Sequence, residues 1–383
     1  MTNPIDALDA FFSNPRLSAA PVVAVGLSGG RDSVALFAAL AGWVRSHAER
    51  EVRVLGLHVH HGLSPHATEW SDFALHLGER FNVSVEVLHV TVDAKGEGIE
   101  AAARRARYKA LIEAMRRNGA QMLLTAHHRD DLLETFLLQW VRGAGVDGLA
   151  AMPTFSTLER WGAPDLLLGR PFLAVSRDDL TRFVTESDLP WVEDESNADD
   201  RYDRNRMRNR VLPVLKEAFP HAEAPAARSV RWCGEAAEIL AERADEDIAF
   251  ARCEDGSLDL TDLTPARRKN ALRRWLSVSF GVTASSLLTD EWETLIAEQK
   301  TVERLRVFDN RAVHLHRGRL FVRCAHRTEL EETSFELSLG IVWTSPDKTL
   351  SLVLEETKEA DPDALSLADL VEAGVTVGPR RGG

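Results

Sequence analysis

The sequence predicts an α/β fold in which five parallel strands form one sheet. Short apolar runs rich in β-branched residues, VVAVGLS, RVLGLHV, VEVLHV and MLLTAH, alternate with helical patterns such as SVALFAALAGWVRS. A later run, LLLGRPF, adds the fifth strand. Such alternation builds right-handed crossover units, and the ligands of these sheets bind beyond the carboxyl ends of the strands. We therefore expect the functional side chains directly after the strands.

The first strand leads through a glycine turn into a helix. This turn reads SGGRDS and comprises Ser28, Gly29, Gly30, Arg31, Asp32 and Ser33. The first amides of a helix lack intrahelical partners and carry about half a positive charge, so a phosphate can bind there. The glycines let the backbone approach that phosphate, and the serine hydroxyls add donors. A bare Gly-Gly pair would indicate only an ordinary turn, and the loop lacks the GKS or GKT ending of a Walker loop.

The second strand ends in the histidine-rich loop LHVHHGLSP. His58 alternates with His60 along the strand, so we predict that His58 faces the sheet and has only a structural role. His60 and His61 are weaker site candidates than His127, which follows the fourth strand.

A helix with the pattern EAAARRARY precedes the fourth strand and carries Arg104, Arg107 and Tyr108 along one stripe, at spacings of three and four. The planar, permanently charged guanidinium of arginine clamps phosphate well. For a single arginine on an amphipathic helix, a surface ion pair is an equally good interpretation.

The fourth strand ends in TAHHRDDLLETF, which contains the densest group of polar candidates. His127 and His128 lie at the strand end, and Asp131 and Glu134 lie three residues apart on one face of the next helix. Two acids in a phosphate-binding crevice repel each other unless a cation, magnesium or an amine, lies between them. The helix dipole alone would explain the acids but not the histidine pair.

A cluster of arginines, DDRYDRNRMRN, follows the last strand region. Arg204 and Arg208 lie one helical turn apart, with Asn205 beside them. No nearby run of acids is large enough to occupy the whole cluster, so we predict that Arg204 and Arg208 contact RNA or the reacting centre.

Beyond Pro213 the pattern becomes mostly helical, and VHLHRGRLFVR predicts a hairpin. We predict a catalytic domain at 1–215, a mostly helical RNA-contacting domain at 216–327 and an acidic partial C-terminal domain at 328–383. In that last part ETKEADPDALS is the best linker candidate. The strand-like runs TLSLVLEE and VTVG would form only a marginal sheet with an exposed edge, so we expect the final domain to be unfinished.

Composition excludes several classes of protein. The 383 residues are 44% hydrophobic and 27% charged, typical of a soluble globular protein with two or three domains. No apolar run approaches the roughly 20 residues that span a bilayer, and the N-terminus carries acids instead of a basic signal-peptide start. We therefore predict a cytoplasmic protein with no membrane partner. Cys233, Cys253 and Cys324 form neither a disulfide scaffold nor a zinc pattern.

The net charge of −13 is concentrated in the C-terminal tail, where residues 328–372 carry 2 basic and 12 acidic residues. Against this, RYDRNRMRNR holds five arginines, RRKNALRR five basic residues, and the stretch from Arg304 to Arg327 seven arginines opposed only by Asp309. Screening over roughly 8 Å at physiological salt makes distant acids a weak obstacle to phosphate binding. Each patch alone is typical of a solvated face, but three together favour an RNA partner.

These motifs in combination resemble those of a known enzyme family. SGGRDS after a strand resembles the pyrophosphate loop of ATP pyrophosphatases that release AMP and pyrophosphate. The later motifs, in chain order, are similar to those of the tRNA(Ile)-lysidine synthetases: LHVHHGLSPHATEW, EAAARRARY, TAHHRDDLLETFLLQWVRGAG, GLAAMP, RPFL and WVEDESNADDRYDRNRMRNRVLP. The resemblance is dense from about Val22 to Leu215 and faint beyond.

The resemblance implies a Rossmann-like, adenine nucleotide alpha-hydrolase-like fold and a ligase that forms a carbon-nitrogen bond. Its implied cofactors are ATP and magnesium, and its implied partners are L-lysine and isoleucine tRNA with a CAU anticodon. A homodimer is left open.

The resemblance also implies roles for individual residues. The implied ATP-binding residues are Ser28, Gly29, Gly30, Arg31, Asp32 and Ser33, with Asp32 also holding magnesium through ATP. The implied lysine site is His127, Asp131 and Glu134, and the implied tRNA-binding residues are Arg204 and Arg208. The implied catalytic residues are Asp32, Arg107, His127, Asp131, Glu134 and Arg208.

The implied reaction has two steps. The cytosine carbonyl oxygen attacks the α-phosphate of ATP and releases pyrophosphate, and the side-chain amine of lysine then adds to the activated ring carbon and expels AMP. The reference pKa of lysine, about 10.4, lies roughly 3.4 units above neutrality, so forming the free amine costs about 4 to 5 kcal/mol. The candidate bases are His127, Asp131 and Glu134, and the sequence does not choose among them.

Other classes of protein account for only some of these motifs. A metallohydrolase with zinc or two metals would use the HVHH and HHRDD histidines but leaves SGGRDS unexplained. A tRNA thiolase would need a reactive cysteine or an iron-sulfur site, and the catalytic half contains no cysteine. An amidotransferase partner has little use for arginine patches, and a non-enzymatic ATP-binding sensor would not need Asp131 and Glu134.

Overall fold

The computed structural model describes residues 2–14, 21–62, 64–92, 98–193, 201, 203–308 and 310–324, and four short strand segments at 333–334, 342–344, 351–353 and 376–377. The chain divides into two compact units. The first comprises Met1–Asp247 and Asn270–Thr283, and the second comprises Ile248–Lys269 and Ala284–Gly383. The three domains expected from the sequence, with bounds at 215 and 327, stay a prediction.

The helices and strands as far as Ala251 are, in chain order, α1 (Pro4–Phe12), β1 (Val22–Gly26), α2 (Arg31–Ser46), β2 (Arg53–His60), α3 (Ala67–Phe81), β3 (Ser84–His89), α4 (Ile99–Asn118), β4 (Met122–Leu124), α5 (Arg129–Val141), α6 (Val146–Leu149), β5 (Phe155–Leu158), β6 (Ala163–Gly169), α7 (Arg177–Glu186), α8 (Asp203–Arg206), α9 (Leu212–Ala218) and α10 (Glu223–Ala251). The later ones are β7 (Leu258–Asp259), α11 (Pro265–Phe280), α12 (Ser286–Ala297), β8 (Val302–Phe308), β9 (Arg311–His316), β10 (Arg319–Cys324), β11 (Thr333–Ser334), β12 (Val342–Thr344), β13 (Ser351–Val353) and β14 (Thr376–Val377). Among the described residues, no helix is both long and apolar enough to cross a membrane.

The first unit contains a six-stranded sheet in the order β3-β2-β1-β4-β6-β5. The pairs β1 with β2, β1 with β4, β2 with β3 and β4 with β6 are all parallel, which confirms the five parallel strands predicted from the sequence. After β1 the chain forms β2 and β3 on one side of β1, and it then returns to form β4 on the other side of β1. This change of direction opens a crevice beyond the carboxyl ends of β1 and β4, where ligands of such sheets bind.

The sixth strand, β5, is an antiparallel edge strand that the sequence did not indicate. It pairs with β6 from Phe155↔Gly169 onward. A short 3-10 turn that ends at Gly162, whose φ is 77°, joins the two strands. Four residues are too few to show a clear alternation of apolar and polar side chains, so this strand has no strong sequence signal.

Helices cover both faces of the sheet because successive side chains of each strand point to opposite sides. Val23 of β1 packs in one core with Leu36 of α2, together with residues of α1, α3 and α7. Ala24, the next residue, packs in a second core with Met115 of α4. Apolar residues therefore pack against both faces of the sheet.

The second unit contains a four-stranded sheet in the order β7-β10-β9-β8. β9 and β10 pair antiparallel around Arg317 and Gly318, which have φ of 50° and 80°, so the predicted hairpin is confirmed. Arg268 is buried in this unit and donates to three backbone carbonyl oxygens and to Glu293. This arginine of the RRKNALRR patch is therefore structural and is not available to a phosphate.

The C-terminal strands differ from the sequence expectation in their pairing. β13 lies in the run TLSLVLEE and pairs with β12, whereas β14 lies in the run VTVG and pairs with β11. Each predicted strand therefore has its own antiparallel partner. The linker candidate ETKEADPDALS and the final four residues lie outside the described residues.

Candidate active site

The SGGRDS loop connects β1 to α2, as the sequence predicts, and its last three residues, Arg31, Asp32 and Ser33, are the first residues of α2. Gly29 has a φ of 87°, and Gly30 is the N-cap of α2 with no side-chain hydrogen bond to the helix. The Ser28 hydroxyl donates to the Ser33 hydroxyl at 3.1 Å, and Ser33 donates to the Gly30 carbonyl oxygen at 2.8 Å. Because no side chain caps this helix start, its first amides are suited to an anion.

Gly29 is closely covered by the chain that follows α7. Its carbonyl oxygen accepts a hydrogen bond from the Val192 amide at 3.0 Å, and a Cβ at Gly29 would lie 2.7 Å from a methyl group of Val192. Val192 therefore packs directly against the SGGRDS loop.

Replacing Gly29 with alanine is expected to lower the free energy of unfolding by about 1–3 kcal/mol, because positive φ and the Val192 contact both oppose a side chain. Gly62→Ala is the matched control, since Gly62 has a φ of 67° but nothing within 4 Å of its Cβ position. Urea denaturation of both variants and of Gly29→Ala/Val192→Ala measures the two contributions. Equal losses in Gly29→Ala and Gly62→Ala would contradict the role of the contact.

Asp32, the second residue of α2, links this loop to the end of β4. Its carboxylate accepts two hydrogen bonds from Arg31, at 3.0 and 2.8 Å, and lies 3.4 Å from Nε2 of His128. Burial raises the pKa of Asp32, but the hydrogen bond and charge of His128 and the charge of Arg31 outweigh it and lower the pKa to about 2. Asp32 is therefore a carboxylate at neutral pH.

His128 is a site residue to which the sequence assigned no role. It is buried and caps α5, with its Nδ1 at 3.2 Å from the Asp130 amide. Its Nε2 lies 3.4 Å from both Asp32 and Asp131, so one imidazole bridges the two strand ends. Burial lowers its pKa, but these carboxylates raise it above the ordinary histidine value. The signal in the sequence was its place immediately before a helix whose first turn contains two aspartates, Asp130 and Asp131.

Asp131 and Glu134 lie on one face of α5, as predicted, but both are buried and already paired with arginines. Asp131 accepts from Arg204 at 2.8 Å and from Arg208 at 3.2 Å. Glu134, only 2% exposed, accepts from Arg204 Nε at 3.1 Å and from Arg208 at 2.6 and 2.9 Å. Arg204 and Arg208 are therefore occupied by two acids that lie far away in the sequence, a pairing that the lack of a large acid run near the arginine cluster did not indicate.

Local backbone geometry brings the two arginines together. Arg204 lies in α8, and Arg208 lies in the π-helical turn Met207–Val211 that follows it. Turns of this type often occur at functional sites. Burial lowers the pKa of Arg208, but its hydrogen bond to Glu134 outweighs this and raises the pKa. The carboxylates of Asp131 and Glu134 and the guanidiniums of Arg204 and Arg208 thus form one cluster in which two negative charges balance two positive charges. Asp131 also accepts a hydrogen bond from the His128 amide at 3.0 Å.

His127 faces the same crevice and is electrically neutral. Its Nδ1 lies 2.9 Å from the Thr125 hydroxyl. Burial lowers its pKa, Asp131 opposes this, and the charges of Arg204 and two further arginines add to the lowering, with a result of about 4. The His127 imidazole is therefore neutral at physiological pH, and its lowered pKa makes it a weaker base than an ordinary histidine.

The three residues of the predicted stripe on α4, Arg104, Arg107 and Tyr108, make contacts at two different places. Nε of Arg107 donates to Nε2 of His61 at 3.2 Å, next to the loop after β2. Tyr108 is buried and stacks on Trp161 at 4.4 Å, with the Arg104 guanidinium 5.4 Å from the Tyr108 ring. Arg107 therefore belongs to the β2 end of the crevice, whereas Tyr108 belongs to the core.

His58 follows the structural prediction made from its alternation with His60. It is buried, and its Nδ1 donates to the Leu27 carbonyl oxygen at 2.8 Å.

The donor set fits a metal held mainly by a nucleotide. The described residues contain no group of three or more histidine, cysteine or acidic side chains arranged to hold a metal ion. Mg²⁺ commonly takes one or two carboxylates and completes its shell with phosphate oxygens and water. Asp32, ionised beside the open phosphate loop, could supply that carboxylate.

The sequence matches two family models. A PP-loop domain model matches residues 3–215, and a TilS substrate binding domain model matches residues 258–321. The chain is also 36% identical to the tRNA(Ile)-lysidine synthase of Chromobacterium violaceum, over 94% of this chain and 80% of that protein. The chain belongs to the tRNA(Ile)-lysidine synthase family.

Other members of the family match a smaller share of this chain. The relatives from Edwardsiella ictaluri and Photorhabdus laumondii are 41% and 38% identical over 70% and 66% of this chain. The chain spans only 60% and 56% of the length of these two lysidine synthases. Among solved structures, a U34-tRNA thiolase from Methanococcus maripaludis has a TM-score of 0.51 and 15% identity, with 60% of this chain and 78% of that chain covered. That likeness shows a shared fold alone.

Proposed function

We propose that the chain uses ATP to attach L-lysine to the wobble cytidine of isoleucine tRNA with a CAU anticodon, and releases AMP and pyrophosphate. The main support for this function is that the SGGRDS loop after β1 lies next to a buried cluster of charged side chains after β4. The cluster comprises Asp131, Glu134, Arg204 and Arg208. Membership of the lysidine synthase family supports the same reaction, and a cytoplasmic location is proposed with it.

In the first step, the chain positions ATP and the cytidine for adenylation. The uncapped amides of α2 and the hydroxyls of Ser28 and Ser33 hold the pyrophosphate end of ATP. Asp32 is the carboxylate for magnesium, which would neutralise charge on the leaving pyrophosphate. Arg107, at the β2 end, and Arg208, beside Glu134, are proposed to stabilise the charge that develops at the α-phosphate.

In the second step, lysine must bind as an ammonium and react as an amine. Asp131 and Glu134 are proposed to bind this ammonium. It either replaces the arginines that they bind in this structure or binds next to them. His127 is the proposed proton acceptor because its ring is neutral, whereas both carboxylates are already ion-paired with arginines. Arg204 and Arg208 are the proposed tRNA-binding residues, and they pair with the acids proposed to bind lysine. Binding of tRNA would therefore affect binding of lysine through these ion pairs.

Incubation with α-labelled ATP tests this function. AMP formation is expected only when lysine and isoleucine tRNA are both present with ATP. Pyrophosphate release is expected with ATP and tRNA even when lysine is omitted. AMP formation that is independent of tRNA would favour an amidotransferase-type enzyme acting on a small molecule, and ATP binding with no turnover would favour a sensor.

Arg208→Ala is expected to lower turnover by at least tenfold, equivalent to about 1.4 kcal/mol, because Arg208 is proposed to act at the reacting centre. Arg206→Ala is the matched control, since Arg206 lies on the same stretch and pairs with Asp203 at the surface. Steady-state AMP formation and the salt dependence of tRNA binding are measured for both variants. Unchanged turnover and salt dependence in Arg208→Ala would assign this arginine to a purely structural cluster.

A further inference from the structure

A guanidinium N–H that has no partner among the described residues lies at the carboxyl end of β6. Arg170 directly follows this strand, and its Nη1 donates to the Pro153 carbonyl oxygen at 2.8 Å. That bond fixes the guanidinium, yet its Nε is buried and has no hydrogen-bond acceptor among the described residues. Buried donors in native proteins nearly always have a partner, so an unpaired one at a strand end marks a ligand or an ordered water.

Arg170 lies in the same crevice as the proposed lysine site. β6 is the direct neighbour of β4, and the Thr125 amide donates to the Gly169 carbonyl oxygen at 3.0 Å. Arg170 is therefore adjacent to the segment that carries His127, and its charge contributes to the lowered pKa of His127.

The surroundings of Arg170 favour an anion. Within the described part of the chain, the groups whose charge acts on Arg170 are Tyr108 and Arg104, and neither is a carboxylate. Arg104 lies over Tyr108 and Trp161, at 5.4 and 6.0 Å from the ring centroids, so its positive charge faces the same corner. Burial also lowers the pKa of Arg170, which is the cost that a bound anion would offset.

Strand order separates this corner from the nucleotide phosphates. The phosphate loop follows β1, the lysine-site residues follow β4, and Arg170 follows β6. With about 4.8 Å between neighbouring strands, Arg170 lies about 10 Å from the position of the phosphates along the sheet. The reacting amine of lysine must reach the nucleotide side, so the opposite end of the molecule extends toward β6.

We propose that Arg170 binds the α-carboxylate of the amino-acid substrate and thereby selects an amino acid over a simple diamine. This inference rests on the proposed function. The planar guanidinium suits a carboxylate, and the Nε–H that lacks a partner supplies a donor to it. Asp131 and Glu134 recognise positive charge, which lysine shares with other amines, whereas Arg170 recognises the group that only the amino acid carries.

Comparison of lysine with cadaverine, which has the same two amines but no carboxylate, tests this assignment. Both are titrated calorimetrically into the full chain with a non-hydrolysable ATP analogue. We expect lysine to bind at least tenfold more tightly than cadaverine, and Arg170→Gln to reduce that ratio to below twofold without weakening cadaverine binding. Arg170→Lys keeps the charge but not the planar fork and is expected to retain part of the ratio. Arg116→Gln, which removes a surface partner of Asp165, is the control.

Three results of the lysine and cadaverine titrations would overturn the proposal: equal binding of both by the unaltered chain, equal weakening of both by Arg170→Gln, or no effect of Arg170→Gln, which would mean that Nε contacts only water. Weakened binding of the ATP analogue would assign the N–H to a phosphate and would also overturn it. Selective lysine binding without tRNA-dependent AMP release would contradict the proposed reaction but leave the Arg170 assignment standing.

Discussion

Asp32→Asn is expected to lower pyrophosphate release by about a thousandfold while the protein stays folded. Asp32 is ionised at neutral pH, with a pKa of about 2, and lies at the start of α2 beside the open phosphate loop. Asparagine has nearly the same shape and can still accept from Arg31, but it lacks the negative charge with which Asp32 would hold a magnesium ion. The measurement is tRNA-dependent pyrophosphate release at saturating ATP.

Asp165→Asn is the matched control for this variant, because Asp165 pairs with Arg116 at the surface of the same unit. Thermal unfolding of both variants shows whether the fold is intact. Wild-type turnover in a folded Asp32→Asn protein would remove Asp32 from the mechanism.

Glu134→Gln is expected to raise the lysine concentration required for half-maximal AMP formation at least tenfold, with the ATP requirement within twofold of wild type. Glu134 is 2% exposed, and an ammonium or guanidinium left beside a neutral amide in that position loses its charged partner. Asp131→Asn should raise both requirements, because Asp131 contacts His128, which also contacts Asp32.

The comparison of these two variants separates lysine binding from metal binding. Glu235→Gln, which alters a surface pair with Arg231, is the control for loss of a carboxylate. Equal increases in the lysine and ATP requirements of Glu134→Gln would point to magnesium binding by Glu134 and would contradict its assignment to lysine.

The parts of the site that could be predicted from the sequence are those fixed by local chain geometry. A strand followed by glycines and a helix determines where SGGRDS lies, and a spacing of three determines that Asp131 and Glu134 share a helix face. The five parallel strands also follow from alternating local patterns. These features need no knowledge of which distant residues meet.

The features that the sequence did not reveal depend on contacts between distant parts of the chain. Arg208 is 74 residues from Glu134 in sequence, so the ion pairs that occupy the acids have no local signal. His128 bridges two strand ends only because β1 and β4 are neighbours. The buried Nε of Arg170 likewise depends on how β6 lies beside β4.

Transfer of labelled lysine to tRNA tests the central claim most directly. The chain is incubated with ATP, radiolabelled lysine and either an isoleucine tRNA transcript with a CAU anticodon or the same transcript with uridine in place of the wobble cytidine, and the tRNA is digested to nucleosides. The proposed function predicts ATP-dependent label in a modified cytidine from the first transcript and none from the second. Absence of label from the CAU transcript, or equal labelling of both, would contradict it.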